Sequence, residues 1–161
     1  MALRTTDTGR RAVRPRDRTA ATLFKSTRAA VATFCAKHNL NSVTISEPWL
    51  IQEPWPITRP SAGDWPNARA QGIYLIFGDG QRLLYIGKAN GWSVRISDRL
   101  ARVRRRDSRQ RSKWFPEARY LMTIGVDDAV SYMVPSFECF LIWKLHPTYN
   151  ILTPLAFDAD G

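Results

Sequence analysis

GIYLIFGDGQRLLYIG, running from Gly72 to Gly87, is two short apolar runs joined by a turn. Ile73, Tyr74, Leu75, Ile76 and Phe77 are β-branched, aromatic or leucine, the composition of a strand on a pleated surface. Gly78, Asp79 and Gly80 are expected to supply the positive-φ positions that a tight reversal needs. Leu83, Leu84, Tyr85 and Ile86 then form the second strand. The hairpin puts Gly-Ile-Tyr at the start of one strand and Tyr-Ile-Gly at the end of the other. In an antiparallel pair those ends are neighbours, so Tyr74 and Tyr85 are expected to converge. On their own, two tyrosines on a hairpin read as cross-strand packing, and the residues downstream change that reading.

Lys88 stands three residues after Tyr85, Arg95 ten after it, and Asn150 twelve after Glu138, within FECFLIWKLHPTYNI. Five elements occur in order: Gly72-Ile73-Tyr74, Tyr85-Ile86-Gly87-Lys88, an arginine on the next helix, a helix glutamate, and Leu-x-Pro-x-Tyr-Asn from Leu145 to Asn150. Each is a weak signal alone, and together they are a specific one. In these residues, between 72 and 152, the chain resembles the GIY-YIG nuclease superfamily. The resemblance implies an α+β fold, a three-stranded antiparallel sheet flanked by helices. It implies a metal-dependent endonuclease that hydrolyses DNA phosphodiester bonds with Mg²⁺ (or Mn²⁺). In the family one tyrosine contacts the attacking water, the arginine contacts the scissile phosphate and the glutamate binds a single metal ion. The family's lysine falls either just before the second tyrosine or just after the Tyr-Ile-Gly. Leu84 holds the earlier place here, so Lys88 matches the later one. Arg99, four residues after Arg95, resembles the arrangement in certain GIY-YIG restriction enzymes.

The residue chemistry points the same way. Phosphodiester hydrolysis needs an activated water, charge relief on the phosphoryl oxygens, a stabilised leaving oxygen and positioning. Glu138 is a hard oxygen ligand suited to one Mg²⁺ that keeps several waters. Arg95 is a permanent cation with a planar fork that matches a phosphate. Tyr74 and Tyr85 can carry or receive a proton if a nearby cation lowers their pKa, and Lys88 is expected to be that cation for Tyr74. Asn150 is a neutral group that can fix a carboxylate or a water.

The net charge of +10 is unevenly placed. Residues 1–18 carry six arginines against two aspartates, and residues 93–113 carry nine basic against two acidic residues, so the rest of the chain is close to neutral. Two basic blocks of this kind are how a polyanion-binding surface looks in sequence. Arg95, Arg99, Arg102 and Arg106 recur at i, i+4, i+7 and i+11, one face of a helix opened by Ser93 and running to about residue 106. Arg99, Arg102, Arg106 and the following Lys113 are expected to contact DNA phosphates, Arg102 and Arg106 away from the cut.

The remaining segments frame this core. Residues 1–18 read as a disordered basic tail, in which RRAVRPR (10–16) is either a phosphate contact or inert. Residues 19–71 read as a helix to about residue 37 followed by an extended arm. Leu23, Phe24, Thr27, Val31, Phe34 and Cys35 share one helix face. In the arm, Pro48, Pro54, Pro56, Pro60 and Pro66 exclude a long helix or a central strand. Val43 to Ile45 is a candidate short edge strand, and Trp49, Trp55 and Trp65 are either buried anchors or base-stacking groups. Residues 72–161 form the nuclease-like unit. It includes a third strand at 119–126, a turn or short helical segment at Asp127 and Asp128, and a helix from Pro135 to Leu145. Cys35 and Cys139, outside any metal-ligand spacing and in apolar company, are expected to be reduced and buried. No apolar run is long enough to span a membrane, and no secretory h-region opens the chain, which points to the cytoplasm.

Two other functional classes fit parts of the chain. One is a catalytically silent nucleic-acid-binding module, which loss of a signature residue would favour; none is lost. The other is a structural adaptor that holds a protein partner or a second copy through the Trp/Pro arm. That reading does not require Glu138, Arg95 and Lys88 together.

Overall fold

The structure, a computed structural model, describes residues 18–51, 66–91, 94–105 and 113–150. Among the described residues three α-helices, α1 (Arg18–His38), α2 (Ile96–Arg105) and α3 (Val134–Leu145), accompany five strands. The strands are β1 (Val43–Ile45), β2 (Trp49–Leu50), β3 (Gln71–Phe77), β4 (Leu83–Ala89) and β5 (Tyr120–Val126). All pairings are antiparallel, in the order β1-β5-β3-β4, with β2 also on β5. The strand that carries Gly72-Ile73-Tyr74 is therefore interior to the sheet, and all seven of its residues are buried. That burial explains why it reads as a continuous apolar run rather than an alternating one.

The expected α+β architecture is present, and the expected three-stranded sheet is enlarged. Val43–Ile45 is the edge strand foreseen from its sequence, and Trp49–Leu50 adds a second short pairing along β5. Residues 43–50 thus belong to the sheet rather than to a separate arm. Trp55, Trp65, the tail at 1–17 and the closing residues 151–161 lie outside the described residues.

The strand pleat sends alternate residues to opposite faces. Ile73, Leu75, Phe77, Ile86, Met122 and Ile124 pack with Phe24, Val31 and Phe34 of α1 and with Phe137 and Leu141 of α3. Phe34 and Phe137 stack at 4.3 Å, and Phe24 meets Phe77 edge-on at 5.0 Å. On the other face Tyr74, Ile76, Leu84 and Leu121 pack with Ile96 and Leu100 of α2 and with Trp114. Leu23 and Val103, expected on these faces, have side chains outside the described residues. The α3 stripe is Val134, Phe137, Glu138 and Leu141, at i, i+3, i+4 and i+7. Cys139 falls off that stripe and is exposed, against the expectation that it is buried, while Cys35 is half-buried. No helix among the described residues is long and apolar enough to cross a membrane.

Local chemistry fixes the element ends that matter for the site. The reversal between β3 and β4 is a short 3₁₀ turn; its positive φ values fall at Gly80 (58°), as expected, and at Gln81 (60°), whereas Gly78 has a φ of −97°. Helix α2 starts at Ile96, and Ser93 lies outside the described residues. Its first amides are satisfied by the turn that leads into β3: Ile96 donates to the Ala70 carbonyl at 3.0 Å and Ser97 to that of Ala68 at 3.1 Å. Asp98 reaches back to accept from the Arg95 N–H at 3.0 Å, half of a capping box. Arg95 is therefore held at the helix entrance by its backbone. At the other end of the chain, residues 148–150 run along the outer edge of β4. The Thr148 and Tyr149 amides donate to the Leu83 and Leu84 carbonyls at 3.1 and 2.8 Å. This covers part of an edge that would otherwise be open to pairing.

Gly72 has a structural reason to be glycine. Its φ is +152°, and a Cβ there would lie 1.9 Å from the Ile124 carbonyl oxygen of the neighbouring strand. The clash is with backbone, so no rotamer relieves it. Gly72→Ala is expected to destabilise the fold by about 2–4 kcal/mol, read by thermal or denaturant unfolding. An unchanged unfolding midpoint would contradict this close approach of β3 and β5.

Candidate functional site

The hairpin register places Tyr74 opposite Gly87, and Tyr85 opposite Ile76. Tyr74 and Tyr85 thus lie diagonally on the α2 face, with ring centroids 6.1 Å apart. Gly87 makes this possible. A Cβ at 87 would sit 2.4 Å from Tyr74 Cζ and Oη and 2.8 Å from Tyr85 Cε1. Gly87 is thus the floor under the first tyrosine. Tyr74 is buried, whereas Tyr85 is half-exposed and stacked on Trp114 at 5.5 Å. Burial pushes the Tyr74 phenol well above its ordinary pKa, and Tyr85 beside it adds to the rise. Arg99 opposes the shift and Glu138 contributes to it, so both charges act on this phenol.

Lys88 does not serve Tyr74 as expected. Three residues along a strand reverse the side-chain direction, so Tyr85 and Lys88 point to opposite faces. Lys88 stands opposite Ile73, on the α3 side, and its Nζ pairs with Glu138 Oε2. This contact answers the demand made by Glu138, which is only 9% exposed: a carboxylate there must be paired or bind a cation. The expectation that Lys88 draws Tyr74 toward the phenolate is therefore replaced. Tyr74 is a neutral phenol, and Lys88 is the counter-ion of Glu138.

Arg95 carries a bidentate pair that sequence reading missed. Its Nη1 donates to Asp128 Oδ1 at 2.5 Å and its Nη2 to Oδ2 at 3.0 Å. Gln71 Nε2 donates to the same Oδ1 at 3.3 Å, and Gln71 Oε1 accepts the Gly91 N–H at 3.2 Å. The Arg95 bond holds the Asp128 carboxyl below its ordinary pKa, and Gln71 helps. Asp128 had read as part of a turn, because no local spacing links it to an arginine on α2. Arg99 turns to the sheet edge, where its Nε donates to the Lys88 carbonyl at 3.3 Å.

Asn150 has a different role from the one expected. Its Oδ1 accepts the Ile86 N–H and its Nδ2 donates to the Ile86 carbonyl, both at 2.8 Å. The side chain thus imitates a strand partner for β4, so it holds backbone rather than a carboxylate or a water. Its neighbour Tyr149 donates its hydroxyl to Glu117 Oε1, and Glu117 Oε2 also takes Arg82, which fastens the closing segment. Lys113 is exposed. The Arg102 side chain and all of Arg106 lie outside the described residues.

The structure therefore sets Tyr74 and Tyr85 side by side on the α2 face with the Arg99 and Glu138 charges acting on Tyr74, and puts the Lys88–Glu138 pair on the α3 face, while Arg95 is held by Asp128 and Asn150 by the Ile86 backbone. Among the described residues no group of three or more His, Cys, Asp or Glu is close enough to hold a metal. One buried carboxylate does not fit a zinc site. It fits a hard dication that keeps most of its waters, as Mg²⁺ does. No family model matches the chain, and neither does any curated protein or solved structure.

The raised Tyr74 pKa has a consequence for stability. The folded protein holds this proton more tightly than the unfolded chain, so the unfolded state loses its proton first as pH rises. Stabilisation from the neutral phenol is complete below the free-tyrosine value of about 10 and declines above it. Tyr74→Phe is expected to flatten the loss of thermal stability between neutral pH and about pH 11. An identical alkaline loss in variant and wild type would contradict the buried, protonated Tyr74.

Proposed function

We propose that this protein is a metal-dependent endonuclease that hydrolyses DNA phosphodiester bonds at the end of strand β4. The observation that carries the reading is a buried Tyr74 that feels both the Arg99 and the Glu138 charges, with Tyr85 beside it and the Lys88–Glu138 pair on the other face of the same strand end, in a strongly basic chain. Arg95 grips the scissile phosphate through its planar fork. Arg99, whose Nε donates to a backbone carbonyl rather than to a carboxylate, keeps the surroundings positive, which favours an incoming phosphate and opposes charge build-up as the bond breaks. Tyr74, kept protonated by burial, donates a hydrogen bond to a phosphoryl oxygen or orients the attacking water. Tyr85, nearer solvent and backed by Trp114, is the phenol with freer access to that water. Glu138 would hold Mg²⁺ (or Mn²⁺), which when bound supplies Lewis-acid charge relief to the phosphoryl group. Asn150 keeps β4 in place rather than touching substrate.

The alternative, a nucleic-acid-binding module without catalysis, draws on one observation. Both Arg95 and Lys88 already neutralise carboxylates, so a phosphate must compete for them. The two readings separate by variant kinetics on plasmid DNA. Glu138→Gln is expected to lower cleavage by at least about 10²-fold with DNA binding largely kept, since a charge-stabilising group acts mainly in the transition state. Arg95→Ala should depress turnover far more than binding. A Glu138→Gln protein that cuts at the wild-type rate would rule out the metal assignment.

A further inference from the structure

Resting on the reading of Arg95 as the group that grips the scissile phosphate, we propose that Asp128 is a built-in stand-in for that phosphate. Its carboxylate fills the Arg95 fork in the DNA-free protein and is displaced when a phosphodiester enters.

Three features of the contact support this. The pair uses both guanidinium amino groups on both carboxylate oxygens, at 2.5 and 3.0 Å, the fork-to-fork geometry that a phosphate also takes. Asp128 is also presented from a fixed frame. Asp127 caps the segment by accepting the Ala129 N–H at 2.9 Å, and the Ser131 hydroxyl donates to the Asp128 carbonyl at 2.9 Å. Buried Gln71 ties the carboxylate to the start of β3 and to the loop after β4. The third feature is exposure. The Asp128 side chain is 61% exposed and that of Arg95 31%, so the pair is bathed by solvent and exchange with another anion is easy. A buried pair would resist such exchange, because removing one partner would strand the other. The contact thus keeps the Arg95 fork ordered and aimed in the empty site, while lowering affinity for any phosphate that must displace it.

The test compares Asp128→Asn with Asp127→Asn in the full-length protein. Asp127→Asn removes the same charge one residue away and keeps the cap, because asparagine caps as well as aspartate. Binding of a short DNA duplex is measured in EDTA, across a salt series, in both variants and in each combined with Arg95→Ala. Asp128→Asn is expected to bind roughly two- to fivefold tighter, the scale of an exposed ion pair. Its salt slope is expected to steepen by up to about 1 unit. Asp127→Asn should show little of either effect, and the Asp128→Asn gain should vanish once Arg95 is alanine. Equal gains from Asp127→Asn and Asp128→Asn, or a gain that survives Arg95→Ala, would overturn the proposal, because the effect would then be net charge alone. Arg95→Ala by itself separates the two levels. If it leaves Mg²⁺-dependent cleavage intact, the reading of Arg95 as phosphate contact fails, whatever Asp128 does.

Discussion

The register between β3 and β4 is the constraint on which the site depends. Pairing Tyr74 with Gly87 lets one aromatic ring lie across the neighbouring strand without a side chain beneath it. The same register places Tyr85 diagonally on that face and Lys88 on the other. A slip of one residue would reverse every side chain of β4 and scatter these groups. Burial of β3 from both sides holds the register, with α1 and α3 on one face and α2 on the other. Asn150 adds a second hold, binding both backbone groups of Ile86 from the open edge.

A cluster this rich in cations must keep them from repelling one another. The structure does so by giving each a partner. Lys88 has Glu138, Arg95 has Asp128, and Arg99 has the Lys88 carbonyl. These contacts differ in burial, which bears on function. Glu138 is largely enclosed, so it requires a cation beside it, which here is Lys88. Asp128 is open to solvent, so its contact with Arg95 can be exchanged for another anion at small cost.

Much of the fold was legible because periodicity and turn chemistry carry it. The hairpin, the third strand and the three helices follow from apolar spacing, from Gly-rich punctuation and from Pro135 at the opening of α3. The β2 pairing was not legible, since two residues hold no periodic signal and the β5 edge that receives them is far along the chain. Around the hairpin, the side-chain partners were harder to read than the strands that carry them. A three-residue spacing suggested that Lys88 sits beside Tyr85, although the two-residue period of a strand sends it to the opposite face. The Asn150 amide can bind a carboxylate, a water or a backbone, and only the topology that leaves β4 at an edge selects the backbone. Asp128 and Gln71 were invisible for the same reason: their partnership with Arg95 joins three separate elements.

Cleavage of supercoiled plasmid DNA by the wild-type protein is the most direct test of the central claim. With Mg²⁺ the account predicts conversion to nicked and linear forms, and with EDTA it predicts intact plasmid that is still bound. Intact plasmid under both conditions, with binding retained, would contradict the nuclease reading and leave a nucleic-acid-binding protein in its place.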